Sequence, residues 1–93
     1  MNQNMIKKLQ KMQKEMQETQ ERLQMTEFQG ISSGVRITML GSHQVVDIYI
    51  DPELLEDVDM LQDAILVAVN NAVEEVDKKT AEEMSRFSMG MGF

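Results

Sequence analysis

Two hydrophobic rhythms run through the first half of the chain, and the change from one to the other separates a helix from a sheet. From Met5 the seam positions fall four and three apart: Met5, Leu9, Met12, Met16, then Thr19, Leu23 and Thr26. This spacing returns to one face of an α-helix and makes a heptad seam. No glycine or proline interrupts residues 1–29, so a helix of about 25 residues and about 37 Å is expected. That is longer than a small domain is wide. Part of the helix must protrude or lie against a second chain, with Leu9, Met12, Met16 and Leu23 as its expected contacts.

Near Phe28 the period changes. Glu27, Phe28 and Gln29 form a short extended segment ahead of Gly30 and an expected loop, Ile31-Ser32-Ser33-Gly34. Val35, Ile37 and Met39 then alternate with Arg36 and Thr38, and Val46, Ile48 and Ile50 alternate with Asp47 and Tyr49. A period of two marks strands covered on one face. A two-residue turn at Gly41-Ser42 would pair Ile37 with Val46, Val35 with Ile48 and Arg36 with Asp47, matching apolar to apolar and base to acid. Asp51-Pro52 suits the cap and first position of a helical turn through Leu55. A longer helix follows from near Asp57, with the stripe Leu61, Ala64, Ile65, Ala68, Val69, Ala72, Val73 and Val76 facing the sheet. From about residue 86 to Phe93 the pattern fades into an expected flexible tail.

The predicted fold is therefore α+β, in one domain spanning residues 1–93: a long N-terminal helix, a three-stranded antiparallel sheet and a long C-terminal helix. Three strands leave two edges, and one helix covers only one face. A homodimer joined through the sheet would resolve both, with Val46 and Ile48 at its interface beside the helical seam.

Charge changes the picture at one end. Residues 1–14 hold Lys7, Lys8, Lys11 and Lys14 and no acid, whereas the other 79 positions hold five bases against sixteen acids. The formal net charge of -7 thus conceals a basic end. Spacings of four and three put Lys7, Lys11 and Lys14 on one helical face, with Lys8 about 100° away. Such a stripe fits phosphates, and the acidic remainder would confine contact to the arm tip. Lys78, Lys79 and Arg86 would add a second patch if the end of the last helix approaches the first.

Other chemistry finds little support. The chain has no cysteine and one histidine, His43, in a predicted turn; neither a zinc cluster nor a histidine-activated nucleophile can be assembled from these. Ser32 and Ser33 lie beside glycine without a phosphate-loop pattern. The acidic run from Asp51 to Asp59 lacks the spacing of a calcium loop. Cofactors, metals, catalysis and a small-molecule substrate are not expected. No apolar run approaches the roughly 20 residues of a membrane span, so a cytoplasmic protein is expected. Ten methionines against four aromatic residues leave one rival to nucleic-acid binding, a chaperone-like module gripping apolar segments through methionine-rich paired helices.

The opening Met5-Ile6-Lys7-Lys8-Leu9-Gln10-Lys11-Met12-Gln13-Lys14 and the run Val46-Asp47-Ile48-Tyr49-Ile50-Asp51-Pro52-Glu53-Leu54-Leu55 are joined by Asp57, Met60-Leu61, Asp63 and Ala68-Val69-Asn70-Asn71-Ala72. In this combination the chain resembles the YbaB/EbfC family of bacterial nucleoid-associated proteins over nearly its whole length. It departs from the family pattern in the less glycine-rich loop at 30–34 and in the turn Leu40-Gly41-Ser42-His43. The resemblance implies a tweezer-like homodimer whose strands form the body, whose helices project as arms, and which binds double-stranded DNA in the nucleoid.

Overall fold

The computed structural model describes residues 3–90, with side chains through Phe87. Helix α1 (Gln3–Met25) leads into strands β1 (Glu27–Ser32), β2 (Val35–Leu40) and β3 (Val45–Ile50), a 3-10 turn (Pro52–Glu56) and helix α2 (Val58–Gly90). The order and type of elements match the sequence-based expectation, and no helix among the described residues is long and apolar enough to cross a membrane.

The helix ends are set by local chemistry. Thr26 closes α1 by donating its backbone N–H to Leu23 O and its hydroxyl to Arg22 O, at 3.1 and 2.7 Å. Asp51 Oδ1 accepts from Glu53 N at 3.0 Å, and Asp57 Oδ1 accepts from Met60 N at 3.1 Å. These two aspartates cap the 3-10 turn and α2, satisfying amide donors that have no partner within their helices. Beyond about residue 86, where a flexible tail is expected from the sequence, α2 continues to Gly90. Phe87 holds it there, being buried at 5% exposure; residues 91–93 of the expected tail lie outside the described residues.

The sheet has β2 at its centre, antiparallel to β1 and β3. Val35, Ile37 and Met39 of β2 point to one face and pack with Ala64, Ala68, Ala72 and Val76 of α2 and with Leu54. The small alanines let α2 lie close, and Gly30 of β1 exploits this. A Cβ at Gly30 would stand 2.0 Å from Ala68 O and 2.4 Å from Ala72 N. Gly30 is therefore a position of helix–strand contact inside β1, where the sequence pattern placed the start of a loop. The reversal comes later, at Ser33 (φ 43°) and Gly34 (φ 90°). Two successive positive φ angles make the tight primed turn whose twist suits antiparallel strands.

The second hairpin differs from its expected register by two residues. Ile37 pairs with Ile48, Val35 with Ile50, and Arg36 with Tyr49, rather than with Val46, Ile48 and Asp47. The turn is longer than two residues. Leu40 N donates to Gln44 O and His43 N to Leu40 O, each at 2.8 Å, with His43 left-handed at φ 69°. A bulge between Thr38 and Met39 then shifts the ladder by one more residue. A two-residue shift preserves which side chains face the core, so alternation alone cannot detect it. In place of the expected ion pair, the Arg36 guanidinium lies 5.3 Å from the Tyr49 ring centroid.

α2 packs over β1 and β2, leaving β3 uncovered. Val46 and Ile48 remain 46% and 54% exposed on an edge strand. Its inner apolar residues and one hydrogen-bonding edge are thus both open, a feature that folded proteins usually pair or cover.

Candidate nucleic-acid interface

The chain measures 68 × 22 × 11 Å, an elongation built from the 33 residues of α2 together with the 23 of α1, which runs on beyond it. The base of α1 is fixed by α2, which runs antiparallel to it. Arg22 Nη2 approaches Glu83 Oε1 at 3.4 Å, and Arg86 Nη2 donates to Thr19 Oγ1 at 3.0 Å. Lys79 Nζ reaches the same Glu83 carboxylate at 3.8 Å. Thr19 and Leu23 are buried at this junction. The hairpin tip wedges beneath it, since a Cβ on Gly41 would stand 1.8 Å from Leu23 O. His43 Nε2 and Asp77 Oδ1, 2.9 Å apart, tie the tip to α2.

Beyond the junction only α1 continues among the side chains described, and it carries the basic stripe. Lys7, Lys8, Lys11 and Lys14 are all exposed, and none forms an ion pair among the described residues. Four ammonium groups thus lie along one arm, in a stretch of α1 that holds no acid before Glu15. Their helix is continuous from Gln3 to Met25, so the stripe keeps its spacing of one turn.

The second basic group is divided by the packing. The end of α2 does approach α1, as its inclusion in the site requires. But Arg86 is engaged with Thr19 and with the Phe87 ring, 4.6 Å from its centroid, and Lys79 leans on Glu83. Lys78 is exposed. Of the expected dimer contacts, Leu23 is 3% exposed within the single chain, so its face is already occupied. Leu9, Val46 and Ile48 are exposed, and Met12 and Met16 are half-buried. Sequence periodicity missed the junction itself: Thr19 looks like a gap in a seam until Arg86, 67 positions away, is placed beside it. Among the described residues, no group of three or more His, Cys, Asp or Glu side chains could hold a metal ion.

Comparison with known proteins agrees with this architecture. The chain is similar to a nucleoid-associated protein of Ligilactobacillus salivarius, 42% identical over 90 residues that cover 92% of this chain and 86% of the relative. It is also 42% identical over 91 residues to a nucleoid-associated protein of Legionella pneumophila, covering 95% of this chain and 81% of that one. The crystal structure of the uncharacterized protein HP0035 from Helicobacter pylori superposes with a TM-score of 0.71 at 26% identity, covering 96% of this chain and 97% of that one. The family model of the YbaB/EbfC DNA-binding family matches residues 1–91. A lysine-striped helical arm on a three-stranded α+β body, and a match over almost every residue, place this chain in the YbaB/EbfC DNA-binding family.

Proposed function

We propose that the chain works as a homodimer that binds double-stranded DNA in the bacterial nucleoid, without catalysis and with little sequence preference. The observation that carries this reading is the exposed stripe Lys7, Lys8, Lys11 and Lys14, without an ion pair among the described residues, on a helix that projects from an acidic body. Each ammonium makes a point contact with a phosphate and releases condensed counterions. No arginine stands in the stripe to offer guanine a bidentate fork. Lys78 is a marginal addition, while Arg86 and Lys79 serve the junction that aims the arm.

The dimer is proposed from β3. On α2, Leu66, Val69, Val73 and Asp77 follow one another at spacings of three and four and share a face. Asp77 touches His43, just before β3, so this flank is the one toward β3. Leu66 is 62% exposed there. Val46, Ile48 and Leu66 border an open apolar strip that a second copy would cover, while β3 supplies an edge. Two copies would present eight lysines to one duplex.

Two results are expected. Ile48→Glu should convert a dimer into a monomer on size-exclusion chromatography with light scattering, since it puts a carboxylate in the buried strip; a wild-type chain that is already monomeric at micromolar concentration would remove the interface. In competition, unlabelled duplexes of equal length and unrelated sequence should displace a labelled one within about threefold of each other, because phosphate contacts carry no sequence information. A preference of about 100-fold or more for one sequence would require base contacts that the stripe does not offer.

A further inference from the structure

The buried residues of helix α1 are Thr19 and Leu23, one turn apart on the same face and about 6 Å from each other along the axis. Lys7, Lys8, Lys11 and Lys14 all lie on the far side of Thr19. With Leu23 as pivot, Lys7 stands roughly 24 Å out and Thr19 roughly 6 Å, so a shift of about 1 Å at Thr19 swings Lys7 through about 4 Å. What fixes Thr19 therefore fixes the direction of the lysines.

Different forces act at the two positions. Burial of Leu23 is apolar, and such contact has no preferred direction. Thr19 Oγ1 accepts from Arg86 Nη2 at 3.0 Å, a charge-assisted bond that weakens as it is bent. Its donor is itself restrained, because the Arg86 guanidinium lies 4.6 Å from the centroid of the Phe87 ring and Phe87 is buried. An apolar residue at this seam position would cost less to bury. The polar pair gives up that stability for a defined geometry.

We infer that Thr19 is the positioning residue that makes this chain prefer a duplex to a single strand, by holding the arm at a fixed angle through Arg86. The inference rests on the reading of the lysine arms as the DNA-binding part of a homodimer. A duplex is a stiff rod, so lysines from two arms reach its phosphates together only when the arms keep their separation. Engagement of the second arm is then an intramolecular step, and its effective concentration falls when the arm sweeps a larger volume. A single strand follows a basic surface by its own flexibility and needs no such alignment. Thr19 is buried and acts only through the direction it gives to the lysines.

Thr19→Val in the full-length protein removes the acceptor while keeping the shape, the charge and the β-branched helix propensity. Affinity for a random-sequence duplex should fall at least about tenfold, and affinity for a single strand of the same length should stay within about threefold. Thr19→Ser, which keeps the hydroxyl, should restore duplex affinity to within about threefold of the parent. A parallel loss for duplex and single strand, an unchanged duplex affinity, or equal losses in the valine and serine variants would overturn the assignment. The chain has no cysteine, so nitroxide labels at Asn4→Cys on the arm and Asn70→Cys on α2, both exposed positions, report the arm's direction without DNA when labelled chains are diluted with unlabelled ones. The distance distribution measured by double electron–electron resonance should broaden in Thr19→Val and not in Thr19→Ser; an unchanged distribution would also overturn the assignment. A parent chain that binds neither nucleic acid, with the broadening present, would instead overturn the DNA-binding reading, and the discrimination with it, while leaving the contact that holds the arm in place.

Discussion

Replacing Lys7, Lys8, Lys11 and Lys14 together with glutamine is expected to weaken binding to a random-sequence duplex by at least about 100-fold at low salt while leaving the fold intact. The two halves of this expectation have separate grounds. Affinity falls because each lysine removed takes away a phosphate contact and the counterion release that accompanies it, and a dimer loses eight at once. The fold survives because all four side chains are exposed and make no ion pair among the described residues. Glutamine also keeps the helix propensity of lysine. Fluorescence anisotropy for affinity and far-ultraviolet circular dichroism for helix content would check both. Retained affinity with retained helix content would move the site off the arm, with Lys78 the base of the α2 group that forms no ion pair among the described residues.

The second large effect is on stability and comes from a residue without a side chain. Gly30→Ala should destabilise the chain by about 3 kcal/mol, at the upper end of overpacking costs. For a domain of this size that lowers Tm by roughly 12 to 24 °C. The added methyl would meet Ala68 O at 2.0 Å and Ala72 N at 2.4 Å, and both are backbone atoms of α2. No rotamer change relieves such a contact; the helix must move away from the sheet and loosen Val35 and Ile37, which are almost wholly buried. Thermal or urea unfolding measures the change. An alanine variant as stable as the parent would mean that α2 does not lie against β1 as closely as described.

These two sites differ in how far the sequence reveals them. The lysine stripe is legible because its meaning is local: spacings of three and four on an uninterrupted helix place the charges without knowledge of the rest of the fold. The same holds for the caps at Asp51 and Asp57 and for the alanine-rich stripe of α2. Gly30 is not legible in this way. In one dimension a glycine ahead of Ser32-Ser33-Gly34 belongs with the turn, and only the approach of α2, about 40 residues later, explains why β1 runs through it to Ser32.

The β2–β3 register fails for a related reason. Alternation fixes parity, and parity is unchanged by the two residues that the three-residue turn and the bulge introduce. The expected Arg36–Asp47 pair is equally plausible on paper, but Arg36 lies across from Tyr49 instead. At the arm's base, Arg86 looks like one more cation until its partner Thr19 is seen to be buried. Long-range partners, rather than residue types, decide these positions.

The central claim is that the lysines of the projecting helix hold DNA by its phosphates. Its most direct test is the affinity for a random-sequence duplex measured across a series of salt concentrations. With both arms engaged, log K should fall linearly with log salt at a slope between about −5 and −7, close to the limit set by eight phosphate contacts. Affinity that is independent of salt, or no binding even at about 50 mM salt, would contradict it.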